Sequence, residues 1–138
     1  MKMRAKLDDG AFMPERAHST DAGADLKSPI STIVLPLGSI VIDTGVHIEL
    51  PPGTVGMIKS KSGLNVNHDI TSEGVIDEAY TGSIKVKLYN HGNVAYHIHR
   101  GDKISQLVVM PCLYVDFVEV DKLQDTERGN NGFGSTGR

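Results

Sequence analysis

The chain has 138 residues, close to the common size of one globular domain and enough to bury a sizeable core. Fourteen Lys plus Arg against seventeen Asp plus Glu give a net charge of −3, which argues against the basic surface that non-specific nucleic-acid binding requires. The single Cys112 excludes an intramolecular disulfide and a multi-cysteine metal site, fits a reducing compartment, and reads as a core thiol.

The N-terminal run from Met1 to Asp9 lacks the apolar stretch of a signal peptide, and no apolar run approaches ~18 residues. A cytoplasmic, soluble protein without a membrane partner is the expectation. Fifteen Gly and six Pro are spread so that few segments could run the ~11 residues of an average helix. The breaks separate short β-rich runs at residues 3–7, 32–35, 40–43, 46–50, 54–60, 83–90, 95–99, 103–110 and 113–120. Residues 83–90 alternate strictly, with Ile84, Val86 and Leu88 on one face and Lys85, Lys87 and Tyr89 on the other. Pro36-Leu37-Gly38 and Pro51-Pro52-Gly53 are turn signals, and the segment Leu64 to His68 is the best place for a short helix. The pattern predicts an all-β sandwich or jelly roll over residues 1–127, followed by a mobile Gly-rich tail, 128–138.

Five segments could carry chemistry. Asp21-Ala22-Gly23-Ala24-Asp25-Leu26 is either a loop with Asx-type hydrogen bonds or a pair of working carboxylates. Lys61-Ser62-Gly63-Leu64 could offer an ammonium, a hydroxyl and unhindered backbone N–H groups to phosphate oxygens, although the order of a Walker A loop is absent. In Gly74-Val75-Ile76-Asp77-Glu78-Ala79-Tyr80-Thr81-Gly82, Asp77 either holds a turn or orients and deprotonates a water, and Tyr80 offers a flat face to a sugar ring. Gln106, in Gly101-Asp102-Lys103-Ile104-Ser105-Gln106-Leu107, needs a partner if buried or serves a ligand. The tail is either disordered or a lid, with Phe133 to stack on a base and Arg128 and nearby hydroxyls to meet phosphates. His97 and His99 share a strand face, but no third ligand stands at zinc spacing.

Taken in order, these five segments resemble the five motifs of the trimeric deoxyuridine triphosphate nucleotidohydrolases (dUTPases), and the resemblance covers nearly the whole chain. It implies a jelly-roll-like β subunit in a homotrimer with shared active sites, and hydrolysis of dUTP to dUMP and pyrophosphate. That reaction keeps uracil out of DNA and supplies dUMP for dTMP synthesis. By resemblance, Asp77 is the carboxylate that activates water for attack on the α-phosphorus. Tyr80 lies under the deoxyribose, and Gly74, Val75 and Ile76 belong to the hairpin that reads uracil. Lys61, Ser62, Gly63, Lys85 and Gln106 are substrate contacts, and Arg128, Phe133, Gly134, Ser135 and Thr136 form the closing lid. Asp25 supports Mg²⁺ through water, the ion being held mainly by the triphosphate.

The chain departs from the family pattern at three positions: Lys61 stands for an Arg, Thr71 for an Asn that contacts the base, and Ser83 for a Glu. Lysine keeps the charge but loses the bidentate fork. The nearest rival, dCTP deaminase, needs a carboxylate in the strand after the hairpin, where this chain has Lys87. A non-catalytic nucleotide-binding module would not need Asp77.

Overall fold

The computed structural model describes residues 1–137. Its elements are β1 (Arg4–Leu7), β2 (Gly23–Lys27), β3 (Thr32–Val34), β4 (Ser39–Asp43), β5 (Val46–Glu49), β6 (Thr54–Lys59), α1 (Ser62–His68), β7 (Ile70–Ile76), β8 (Lys85–Asn90), β9 (Tyr96–Ile98) and β10 (Lys103–Pro111). Every ladder is antiparallel. Six strands join in the order β2-β10-β6-β7-β8-β4, and β1-β5 and β3-β9 form two small accessory sheets. This is the all-β, jelly-roll-like architecture expected from the pattern of short runs and turns. Among the described residues no helix is long and apolar enough to cross a membrane.

The core follows from alternation. Val86 and Leu88 of β8 point inward with Ile84 just before them, and meet Ile42, Val46, Ile48, Ile58, Ile70 and Leu107 in one buried cluster. The same inward row ends at Asn90, whose amide donates to the carbonyls of Val34 (3.1 Å) and Val94 (2.8 Å) and accepts from Gly92 N–H (2.9 Å). A buried amide is tolerated there because its hydrogen bonds are all made within the protein.

Two strands, β2 and β7, form where the sequence reads as loop or turn. The inward positions of β7 are Ile70, Ser72, Gly74 and Ile76, so half of that face is not apolar. Ser72 is buried through hydrogen bonds, its hydroxyl meeting that of Ser105 at 2.8 Å and its N–H donating to Ser60 Oγ at 2.9 Å. Residues 113–120 correct the opposite way. They read as a strand, yet they lie outside any sheet, with Leu113, Tyr114, Val115, Phe117, Val118 and Val120 all exposed. Cys112 is likewise not a core thiol; it is half-buried at the end of β10, its N–H donating to Gly53 O at 2.9 Å.

Candidate active site

The antiparallel register places the turn between β7 and β8 at one end of the main sheet, beside Val55, because Ile76 pairs with Gly56. Asp77 opens that turn, and its carbonyl accepts the Tyr80 N–H at 3.0 Å. The Tyr80 hydroxyl donates to Ser83 O at 3.0 Å, folding the ring back over Gly82. A Cβ at Gly82 would sit 2.5 Å from the ring carbon Cζ, so a glycine is what lets the ring lie there. Val75, Ile76, Asp77, Tyr80, Ser83 and Lys85 together line a cavity of about 240 Å³. Five of these six are residues singled out from sequence.

Ile84, between the lining residues Ser83 and Lys85, is held by Thr44, whose hydroxyl donates to Ile84 O at 2.7 Å while Ile84 N–H donates to Val46 O at 2.8 Å. Asp43 at the end of β4 stands opposite Lys85 in the ladder and accepts hydrogen bonds from Ser83 Oγ and Gly45 N–H. Those two donors, with lysine Lys85 beside them, hold the Asp43 carboxyl below its ordinary range. Where the family's Glu is missing at position 83, a carboxylate therefore still stands one hydrogen bond away. His47 of β5 braces the turn from outside, one ring nitrogen 2.8 Å from Thr81 O and the other 3.0 Å from Asp8 Oδ2. Both partners are acceptors, so the doubly protonated imidazolium suits the position, and the His47 pKa is raised chiefly by the Asp8 contact.

A second cluster forms where β2, β10 and the end of β6 meet. Asp25 pairs with Gln106 across β2 and β10, and Gln106 pairs with Lys59 across β10 and β6. The Asp25 side chain is only 9% exposed and takes Lys61 Nζ at 2.6 Å on one oxygen and Lys103 Nζ at 2.8 Å on the other. Burial works to raise its pKa, but the hydrogen bonds and charges of Lys103 and Lys61 outweigh it and hold the group below the usual carboxylate range. The Gln106 amide donates to Ser60 O at 2.9 Å and lies so close over Gly23 that a Cβ there would come within 2.3 Å of its oxygen. Ser62 and Gly63, in the first turn of α1, are exposed, and no atom lies within 4 Å of a Cβ built at Gly63.

The tail stands apart from both clusters. Arg128 Nε donates to Asn131 O at 2.9 Å, and Ser135 N–H to Gly132 O at 3.2 Å. Phe133 is fully exposed at φ 50°, followed by Gly134 at φ 94°. Phe133, Gly134, Ser135, Thr136 and Arg128 thus form turns of their own.

One chain therefore unites Asp77 with Tyr80 and Lys85, and separately Asp25 with Lys61 and Gln106, but not the two groups with each other. Six residue steps along β6 and its extension, from Val55 to Lys61, separate them, a span on the order of 20 Å at ~3.3 Å per residue. Lys103, Asp43 and His47 were not singled out from sequence. Lys103 had a signal, since a buried Asp25 demands nearby cations. Asp43 and His47 reach the site only through register and had none. Lys87, where a deaminase would place its carboxylate, lies on the outer face 5.0 Å over the Tyr89 ring and does not line the cavity.

Comparison with known proteins identifies the family. The dUTPase family model matches residues 9–137. The chain is 46% identical to a deoxyuridine 5'-triphosphate nucleotidohydrolase of Gloeothece citriformis, covering 99% of this chain and 97% of that protein. It is 44% identical to one from Clostridium acetobutylicum, covering 96% and 93%. Among solved structures, the dUTPase of Staphylococcus bacteriophage 80alpha with dUPNHPP superposes with a TM-score of 0.92 at 30% identity over 99% of each chain. The dUTPase of phage phi11 of S. aureus, described with a structural Mg(II) ion, superposes at 0.81 with 27% identity over 88% of this chain and 98% of that one. With its family motifs gathered on an all-β frame and matched over nearly their whole length, the chain belongs to the dUTPase family of nucleotidohydrolases.

Proposed function

We propose that this protein hydrolyses dUTP to dUMP and pyrophosphate in the cytoplasm, with sites completed between the copies of a homotrimer. The observation that carries the reading is the cavity holding Asp77, Tyr80 and Lys85 at one end of the β6–β7 ladder, with the Asp25, Lys61 and Gln106 cluster at the other. With on the order of 20 Å of strand between the two groups, a neighbouring copy that supplied one half would bring both onto one nucleotide. The apolar segment 113–120, exposed in the single chain, supports assembly, because such a run is normally covered by a partner.

Asp77, exposed at the cavity mouth, takes a proton from water as the oxygen attacks the α-phosphorus. The α–β bridging oxygen leaves with pyrophosphate. Tyr80 packs beneath the deoxyribose, where a 2′-hydroxyl would collide with the ring. Backbone groups of Gly74, Val75 and Ile76 read the uracil edge, and with Thr71 in place of Asn they carry more of that task. Lys61 and Lys85 neutralise phosphate charge, and Ser62, Gly63 and Gln106 position the phosphate chain. Arg128, Phe133, Gly134, Ser135 and Thr136 close over the nucleotide and exclude water.

Among the described residues no three His, Cys, Asp or Glu side chains gather as a metal cage. Asp25 fits the weaker role: its carboxylate is held ionised, and it would hold Mg²⁺ through retained waters while the triphosphate supplies the oxygens. When bound, the ion neutralises charge on the transferring phosphate.

Incubation with dUTP, dCTP, dTTP and UTP, with products separated by anion exchange, tests the function. Formation of dUMP and pyrophosphate from dUTP alone is expected. Ammonia released from dCTP, or no turnover of any nucleotide, would overturn it. Asp77→Asn should keep nucleotide binding and lower kcat by at least ~100-fold, and unchanged turnover would remove Asp77 from the mechanism.

A further inference from the structure

Glu78 directly follows Asp77, yet its side chain turns away from the cavity. Its Oε2 accepts the Gly53 N–H at 2.9 Å and also the Tyr114 hydroxyl. Gly53 in turn accepts the Cys112 N–H on its carbonyl at 2.9 Å. Three segments far apart in sequence, the Pro51-Pro52-Gly53 turn, the Asp77 turn and the root of the C-terminal segment, close into one ring of hydrogen bonds. Beyond Tyr114, no hydrogen bond of the described residues joins residues 115–137 to the body of the domain.

We propose that Glu78 is a positioning residue, and that its bond to Tyr114 fixes the catalytic turn and the departure point of the C-terminal segment to each other. The inference rests on the proposed hydrolysis for its catalytic consequence, but the link itself does not. Asp77 sits one peptide away from a side chain held at two points, which restrains the backbone from which its carboxylate projects. The tail meanwhile leaves from a fixed place, fourteen residues before Arg128. Both donors favour an ionised Glu78, whose pKa is lowered first by Tyr114 and then by the Gly53 N–H. The Tyr114 hydroxyl is pushed up to about 12 by the same contact, so it remains a donor across the working range.

The test uses Tyr114→Phe, Glu78→Ala and the double variant of the full chain. Amide hydrogen exchange should quicken in both residues 77–80 and residues 112–116 in either single variant. Each should lower kcat roughly fivefold while KM stays within about twofold, because the substrate contacts remain and only their alignment with the attacking group is lost. The double variant should be no slower than the slower single one, as expected of two halves of one link. Exchange confined to the mutated segment, or multiplying losses in the double variant, would overturn the proposal. If the unmodified protein turned over no dUTP, the proposed hydrolysis would fall, and the exchange data would still decide whether the link exists.

Discussion

Individual residues in this fold are chosen as much by what must fit beside them as by what they do. Gly82 is one case, since any side chain there strikes the Tyr80 ring. Gly82→Ala is expected to leave the fold nearly as stable, because the ring is exposed and can swing outward, but to raise KM for dUTP by about tenfold as the sugar loses its platform. A KM unchanged in steady-state assays would show that Tyr80 does not touch the substrate. Asp25 is a second case. Its folded pKa lies below the unfolded value, so the stability it contributes is fully present above about pH 4 and is lost as pH falls through the folded pKa. Acid unfolding of Asp25→Asn should therefore be shallower than that of the parent. At neutral pH that variant should be less stable by about 3 kcal/mol, two lysines being left without their shared carboxylate. Equal pH profiles in denaturant titrations would contradict this.

At the scale of elements, legibility followed hydrophobic period. Strand β8 could be read directly because Val86 and Leu88 alternate with Lys85, Lys87 and Tyr89. Strands β2 and β7 could not, since Gly23, Asp25, Ser72 and Gly74 occupy positions where the pattern calls for apolar side chains. The reason is local packing and charge: Gly23 makes room for Gln106, Asp25 holds two lysines, and Gly74 packs against Ile58. The site strands thus depart from the rule that reveals the others. Residues 113–120 misled in the other direction. Their composition is that of a strand, but they pair with no strand of their own chain. Among the described residues, the tail makes no hydrogen bond to the body. Truncation after Glu127 should leave the melting temperature within about 2 °C and the oligomer unchanged, while cutting kcat by at least ~100-fold. Full activity of the shortened chain would exclude the lid.

For the whole molecule, the decisive fact is separation. Motif residues from the first, second and fourth segments converge on Asp25, and the third forms the Asp77 cavity. Register along β6 keeps these two groups apart within one chain, and the tail reaches neither. No pattern in the sequence could show that distance, because it arises from which strands pair and where. The proposed trimer with shared sites would account for it, and also for the uncovered apolar segment.

The most direct measurement is activity after co-refolding two inactive variants, Asp77→Asn and the chain truncated after Glu127. If each site draws its carboxylate and its lid from different copies, random mixing should restore about a quarter of the parent dUTPase activity. Mixed oligomers that form by mass spectrometry and yet remain inactive would contradict the shared site.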